Sequence, residues 1–479
     1  MIEGGGKGVK MTTVHEPARD TPVIATADVV VVGGGPSGIA AAVSAARNGA
    51  SVVLVERYGF LGGNAAMFLP VMSFFSVKGE QVIKGIAQEI IDRLIPLGGS
   101  IGHIPCPVHM ARTPIDPDLF KIVAIRMLEE AGVRVHLHTF MVGSLCERGE
   151  TGDTCETGDT GELKAVLTES KSGRAAVGGR IFIDATGDGD LAVSAGAPYL
   201  SGREADGHLQ PPTLTFRVGG VDTKKLRARL IAEPERYKTL FDADHYRKSE
   251  RLVSVPGLED LLREAKEKDG LNIGHSKTIL STIIRENEMM VNMARVPGID
   301  GSKAEDLSRG EMEARKQITD ILRYLIKYVP GFEEAYLLDT SHQLGIRETR
   351  RIVGEYILTA EDVLNGHRFD DVIAIGGYPI DLLHDSAAET GKFTYTRDSY
   401  DIPYRCLVPK KVGNLIVVGR CISATHEAMA ATRVMATCMA EGEAAGAAAA
   451  LCVRDGMQPL NVNMSELQER LRAQGAYLG

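Results

Sequence analysis

Three glycines stand at fixed offsets, Gly33-x-Gly35-x-x-Gly38, between an apolar run and a stretch of small residues. Glycines in this pattern suit the pyrophosphate of a dinucleotide. The first permits a tight turn, the second lets phosphate approach the backbone, and the third lets helix and strand pack closely. The free N–H groups at the helix start add a positive end facing the phosphates. In a chain with 53 Gly the triplet alone is a weak sign, and a glycine turn without ligand is the plain alternative. Its setting strengthens it. Residues 28–32 are a β-branched run of the kind buried on both faces, 39–48 read as a helix, and 51–55 as a second strand. Glu56 then follows at about the 20-residue interval at which an acid takes ribose hydroxyls and repels a 2′-phosphate. Pro36 and Ser37 complete the turn, and Arg57 follows the acid.

These residues need a frame of parallel strands joined by right-handed crossovers. Apolar residues recur at helical spacing over 118–131, Gly132 ends that helix, and 133–137 alternate like a strand. The apolar-free segment 149–161 reads as the tip of a hairpin, and a strand over 180–184 leads into Ala185. From about 206 to 400 the chain carries longer amphipathic helices, such as 311–328, and more charge. A buried-strand run at 414–418 then precedes a tail that reads as one long helix of small residues ending near Gly456. The expected fold is a doubly wound, Rossmann-like α/β domain of residues 24–205 and 401–456. An α+β substrate domain, 206–400, is inserted in it, and 1–23 form a flexible leader.

Composition sets limits. A net charge of −9 argues against a nucleic-acid surface, and no apolar stretch is long enough for a membrane span. The leader lacks the apolar core of a secretory signal. Seven cysteines, none in a Cys-x-x-Cys pair, suggest reduced thiols in a cytoplasmic protein rather than a disulfide scaffold or an iron–sulfur cluster. His103-x-x-Cys106-x-x-His109 has the look of a metal motif, but Pro105 and Pro107 interrupt it and no fourth ligand is near, so no metal is expected.

Three further segments bear on which dinucleotide is held. Gly62-Gly63-Asn64 after the acid, Ala185-Thr186-Gly187-Asp188 after a strand, and Gly419-Arg420 before the small-residue helix resemble the flavin-contacting motifs of glutathione-reductase-2 type flavoproteins. The wider pattern includes Gly345-Ile346-Arg347-Glu348-Thr349-Arg350-Arg351 and Arg420-Cys421-Ile422-Ser423. It resembles the bacterial FAD-dependent oxidoreductase family related to thiazole synthases and fumarate reductases, from about residue 27 to 453. The resemblance implies FAD and an adenine contact through the backbone of Met141; no histidine or cysteine stands out as a covalent flavin anchor, so the FAD expected is non-covalent. The tail agrees with it: Ala424, Ala428, Ala430 and Ala431 leave room for a flavin ring, and Thr425 suits an N-cap. A packing helix is the simpler reading of the same residues.

In such a fold the substrate lies between the flavin and the inserted domain. His426, Arg420, Arg347 and Arg350 are the catalytic candidates, with Asp381, His384 and Tyr404 behind them. His426 suits an acid or base, or a structural histidine. The arginines suit a carboxylate, or ion pairs between domains. The function expected is hydride transfer between flavin N5 and a small organic substrate that carries a carboxylate. Reduction of an unsaturated acid and a non-catalytic FAD-holding electron-transfer subunit are the alternatives. A homo-oligomer is compatible with the sequence, which names neither the electron acceptor nor the substrate.

Overall fold

The computed structural model describes residues 15–147, 161–249, 251–252, 254–383 and 392–479. Most of the 1–23 leader, most of the 149–161 segment and His384 lie outside the described residues.

Strand β1 (Val23–Val32) runs into helix α1 (Pro36–Arg47) and returns as β2 (Val52–Val55), parallel to β1. Val29 to Val32 are buried on both faces, which is why the run carries no alternation. Helix α2 (Pro117–Glu130), capped by Asp116, leads to β3 (Arg134–His136), which pairs parallel with β2. The antiparallel strands Thr139–Glu147 and Glu162–Ser170 lead into β4 (Gly173–Asp184). The far half of β4 borders β5 (Leu415–Val417), again in parallel. The parallel order is therefore β3-β2-β1-β4-β5, closed by a strand from near the C-terminus.

A second sheet is antiparallel, in the order Ser254–Gly257, Thr278–Thr282, Met289–Arg295, Thr213–Gly219, Tyr336–Thr340. It packs against α3 (Ala304–Tyr328) around a core containing Leu214, Phe216, Val291, Ile321 and Tyr324. The Rossmann-type core gathers α1, α2 and the tail, and also takes Val372, Ile373, Tyr400 and Ile402.

The tail differs from the single helix read from its small residues. It forms two helices, α4 (His426–Thr432) and α5 (Met435–Asp455), with Val434 extended between them at φ −74°, ψ 147°. Thr425 caps α4 and Gly456 ends α5. Neither Gly nor Pro marks the break, so nothing local announced it; packing sets it.

Helix α5 lies directly on α1. A Cβ on Gly442 would stand 2.1 Å from the Ser37 carbonyl oxygen, and one on Gly446 2.2 Å from that of Ala41. Two buried carboxylates, Glu441 and Glu443, accompany this contact. Glu443 accepts the Ile86 N–H at 2.9 Å through Oε2, while Oε1 is buried without a partner among the described residues. Burial pushes its pKa up to about 7.

Two outcomes are expected. Gly442→Val, which must push the two helix backbones apart, costs about 3 kcal/mol or more in denaturant unfolding, or abolishes folding. For Glu443, the unfolded chain gives up its proton near 4.5 and the native chain near 7. Stability is therefore untouched at pH 4, falls as pH rises through that window, and stays lowered above it. Denaturant unfolding of Glu443→Gln against the parent checks this: the variant's relative stability should rise from pH 4 to pH 8, by up to about 3 kcal/mol. An offset independent of pH would refute it.

Candidate functional site

At the end of β1 the chain turns at Gly33 with φ +105°, and a Cβ there would stand 2.4 Å from the Ala185 carbonyl oxygen. Gly35 precedes α1 with no side chain capping the helix end. A Cβ on Gly35 would meet no atom within 4 Å, because it would project into a cavity of about 600 Å³. Pro36 and Ser37 line the same wall. Gly38 serves the turn instead, since its Cβ would fall 1.8 Å from the Gly33 carbonyl oxygen.

Glu56, at the end of β2, is buried and faces the cavity beside Arg57. Its Oε2 accepts the Gly34 N–H at 2.6 Å and its Oε1 the Tyr58 N–H at 2.9 Å. These bonds fix the carboxylate and leave lone pairs for hydroxyl groups of a ligand. Gly62 donates to the Gly34 carbonyl at 2.8 Å and stands behind the wall that Gly63 and Asn64 form. Met141 lines the cavity from the strand Thr139–Glu147.

The turn after β4 is built around Asp184. Burial raises its pKa to about 6, and it accepts the Thr186 N–H (3.0 Å), the Thr186 hydroxyl (2.7 Å) and the Ala192 N–H (2.8 Å). The turn so held presents Ala185, Thr186, Gly187 and Asp188 to the cavity. Gly419 and Arg420 face them after β5. The Gly419 N–H donates to Glu441 of α5 at 3.0 Å. Arg420 Nε donates to the Gly187 carbonyl at 2.9 Å, and its other nitrogens to the Ile346 carbonyl and the Asp188 carboxylate. One guanidinium thus ties three segments around the cavity.

Sequence reasoning missed several residues of the wall. Arg433, Met435 and Cys438 enter because the tail breaks at Val434, which puts the uncapped first turn of α5 at the cavity. His342, Gln343 and Leu344 come from the covering sheet's side, with Glu311 and Arg315 of α3. His342 packs edge-on to Phe60 at 4.4 Å, and burial pushes its pKa down to about 4. The aromatic Tyr58 and Phe60 after Glu56 were the one available signal for this corner.

A second, inner chamber of about 180 Å³ shares Asn64, Ile346, Arg433 and Met435 with the first. Its wall includes Arg347, Arg112, Lys277, His109, Tyr378 and Asp381. The proposed catalytic residues do not all meet there. Arg347 is in the chamber and Arg420 in the outer cavity, whereas His426 and Arg350 line neither. His426 Nδ1 lies 2.8 Å from Glu348, which also pairs with Arg351 and accepts the Gln210 N–H at 3.1 Å. Arg350 pairs with Asp190 at 2.8 Å. Ser423 is buried outside both walls, and Tyr404 donates its hydroxyl to the Pro459 carbonyl at 3.0 Å. His103 bonds Thr113 and Gln88, apart from the Cys106–His109 pair. Among the described residues no three His, Cys, Asp or Glu side chains are grouped to hold a metal ion. None of the helices among them is long and apolar enough to cross a membrane.

Two ferredoxin–NADP reductases of Streptococcus agalactiae are 40% identical to this chain over 68 residues. The match covers 14% of this chain and only 20% of the length of those relatives. Among solved structures, a geranylgeranyl bacteriochlorophyll reductase-like protein of Thermoplasma acidophilum is 13% identical, with 94% of this chain and 84% of that one covered and a TM-score of 0.44. The flavin-dependent brominase Bmp2 is 13% identical, with coverage of 94% and 83% and a TM-score of 0.47. The p-nitrophenol 4-monooxygenase PnpA of Pseudomonas putida is 10% identical, with coverage of 93% and 84% and a TM-score of 0.43. The profile of the family described as FAD dependent oxidoreductase matches residues 28–471. The chain therefore belongs to the FAD dependent oxidoreductase family, and its cofactor is FAD.

Proposed function

We propose that this enzyme moves a hydride between FAD and a carbon of a small, carboxylate-bearing organic substrate seated in the inner chamber. The observation that carries this reading is the junction of the two cavities at Asn64, Ile346, Arg433 and Met435. A separate, half-closed chamber at that junction favours a small-molecule enzyme over a subunit that only carries electrons.

The residues present fit FAD. Gly35 leaves its side of the cavity open, the α1 start is uncapped, and Glu56 stands at the end of β2. When bound, FAD supplies the two-electron chemistry at N5, and oxygen, a quinone or a protein partner balances the electrons. The chain's own role is to hold and orient. The uncapped first turn of α5 favours negative charge beside it. Arg420 keeps the turns after β4 and β5 in register, and Arg347 meets the substrate. His426 and Arg350 act from behind, through Glu348 and Asp190, to hold the 345–351 segment. In this reading residues 24–205 and 401–456 bind FAD, and 206–400 cover the substrate. Reduction of an unsaturated acid is the same transfer run toward the substrate.

The purified protein, reconstituted with FAD, should show a flavin spectrum, release intact FAD on denaturation, and bleach anaerobically with one member of a panel of small carboxylic acids. A protein that takes up FAD but bleaches with none, while passing electrons to protein acceptors, would favour the carrier reading. Gly35→Val directs its side chain into space no protein atom occupies. Its flavin-free melting temperature should match the parent's, while its FAD affinity falls about 10-fold or more. Unchanged affinity would remove the pyrophosphate from that site.

A further inference from the structure

The inner chamber's wall combines apolar side chains, Met67, Leu69, Ile279 and Phe393, with the cations Arg112, Lys277, Arg347 and Arg433. Arg433 has a counter-charge in Asp381, 3.9 Å away, which also accepts the Tyr378 hydroxyl at 3.3 Å. Among the described residues no carboxylate lies within ion-pair distance of Arg112, Lys277 or Arg347, although the charge of Asp381 also reaches Arg347. Arg347 is half-buried, donates to the Pro211 carbonyl at 2.9 Å, and has its pKa lowered to about 9, first by desolvation and then by the charge of Arg433, with Asp381 acting in the opposite sense. A guanidinium partly withdrawn from water with no carboxylate in ion-pair contact is costly, and an anion brought by a ligand relieves it.

His109 stands in the same wall with its protons assigned by its neighbours. Its ring stacks on Tyr378 at 5.7 Å and meets Phe393 edge-on at 5.4 Å. Its Nδ1 receives the Nε–H of Arg112 at 3.5 Å and lies 3.5 Å from Cys106 Sγ. A guanidinium donates only, so Nδ1 is the acceptor and the ring proton sits on Nε2. Burial, then the charges of Arg112 and Lys277, hold the pKa of His109 well below the usual histidine range. The ring is therefore a neutral donor, fixed in direction by stacking. Nε2 has no hydrogen-bond partner among the described residues.

We propose that these groups of the chamber wall grip the substrate's carboxylate: Arg347 and Arg112 supply the charge, and the Nε2–H of His109 supplies a fixed neutral donor. The substrate is then a small acid with an apolar body lying along Met67, Leu69 and Phe393. This inference rests on the reading of the chamber as the substrate site. It adds His109, which touches substrate without exchanging a proton with it, as a determinant of specificity.

Benzoate, an apolar ring with one carboxylate, is a suitable probe, and benzamide is its uncharged counterpart. In calorimetric titration of the full chain, benzoate should bind saturably and at least about 10-fold tighter than benzamide. Arg347→Met should abolish that preference. His109→Phe keeps the stacking but loses the donor, and should weaken benzoate about 10-fold with FAD content unchanged; His109→Gln, which restores an N–H, should recover most of the loss. Equal binding of benzoate and benzamide would overturn the proposal, as would His109→Gln binding as weakly as His109→Phe. Failure to take up FAD would instead strike the redox reading, because calorimetry on the flavin-free chain measures the anion site directly.

Discussion

Helices α1 and α5 approach so closely that Gly442 and Gly446 rest on the carbonyl oxygens of Ser37 and Ala41, with no room for a side chain at either point. One helix comes from near the start of the chain and the other from near its end. Their contact converts a dinucleotide turn and a distant alanine-rich tail into walls of one cavity. It also orients the uncapped starts of both helices toward that cavity, α1 at Gly35 and α5 at Met435. Small residues lose little side-chain entropy here, and the shape of the backbones carries the fit.

Buried carboxylates fasten the loops to this helix pair. Glu441 of α5 accepts the Gly419 N–H, Glu443 accepts that of Ile86, and Asp184 holds the turn after β4. Burial raises the pKa of all three, so each favours its protonated form more than an exposed acid would. Arg420 then ties the turns after β4 and β5 to the 345–351 segment, which leads to the chamber through Ile346 and Arg347. The outer cavity and the chamber therefore share the same supports.

The chamber reverses the charge balance of the whole molecule. The chain carries a net −9, yet among the described residues Arg112, Lys277 and Arg347 line the chamber with no carboxylate at ion-pair distance, and His109 in the same wall is held neutral. Such an arrangement suits a site that meets an anion.

Much of the cavity wall at the end of the parallel sheet was legible because its signals are local. The run ending at Val32, the glycines at 33, 35 and 38, and Glu56 lie within one βαβ unit, where sequence distance and spatial distance agree. The family's spread-out motifs supplied Asn64, Asp188 and Arg420, which line the same cavity. The rest depended on contacts between segments remote in sequence. His426 and Arg350 carry chemistry-bearing side chains, but Glu348 and Asp190 take them up, and no periodicity reveals such partners. The break at Val434 carries no Gly or Pro, so helix propensity ran straight through it and hid Arg433, Met435 and Cys438. His109, set aside with a broken metal motif, gained its place from Tyr378, Phe393 and Arg112. Residue order alone was enough for the parallel-sheet turn and the dinucleotide it suits, because glycine sterics and helix ends act over a few residues. Which charges and which faces met in the chamber emerged in the folded chain, because both depend on where segments distant in sequence come together.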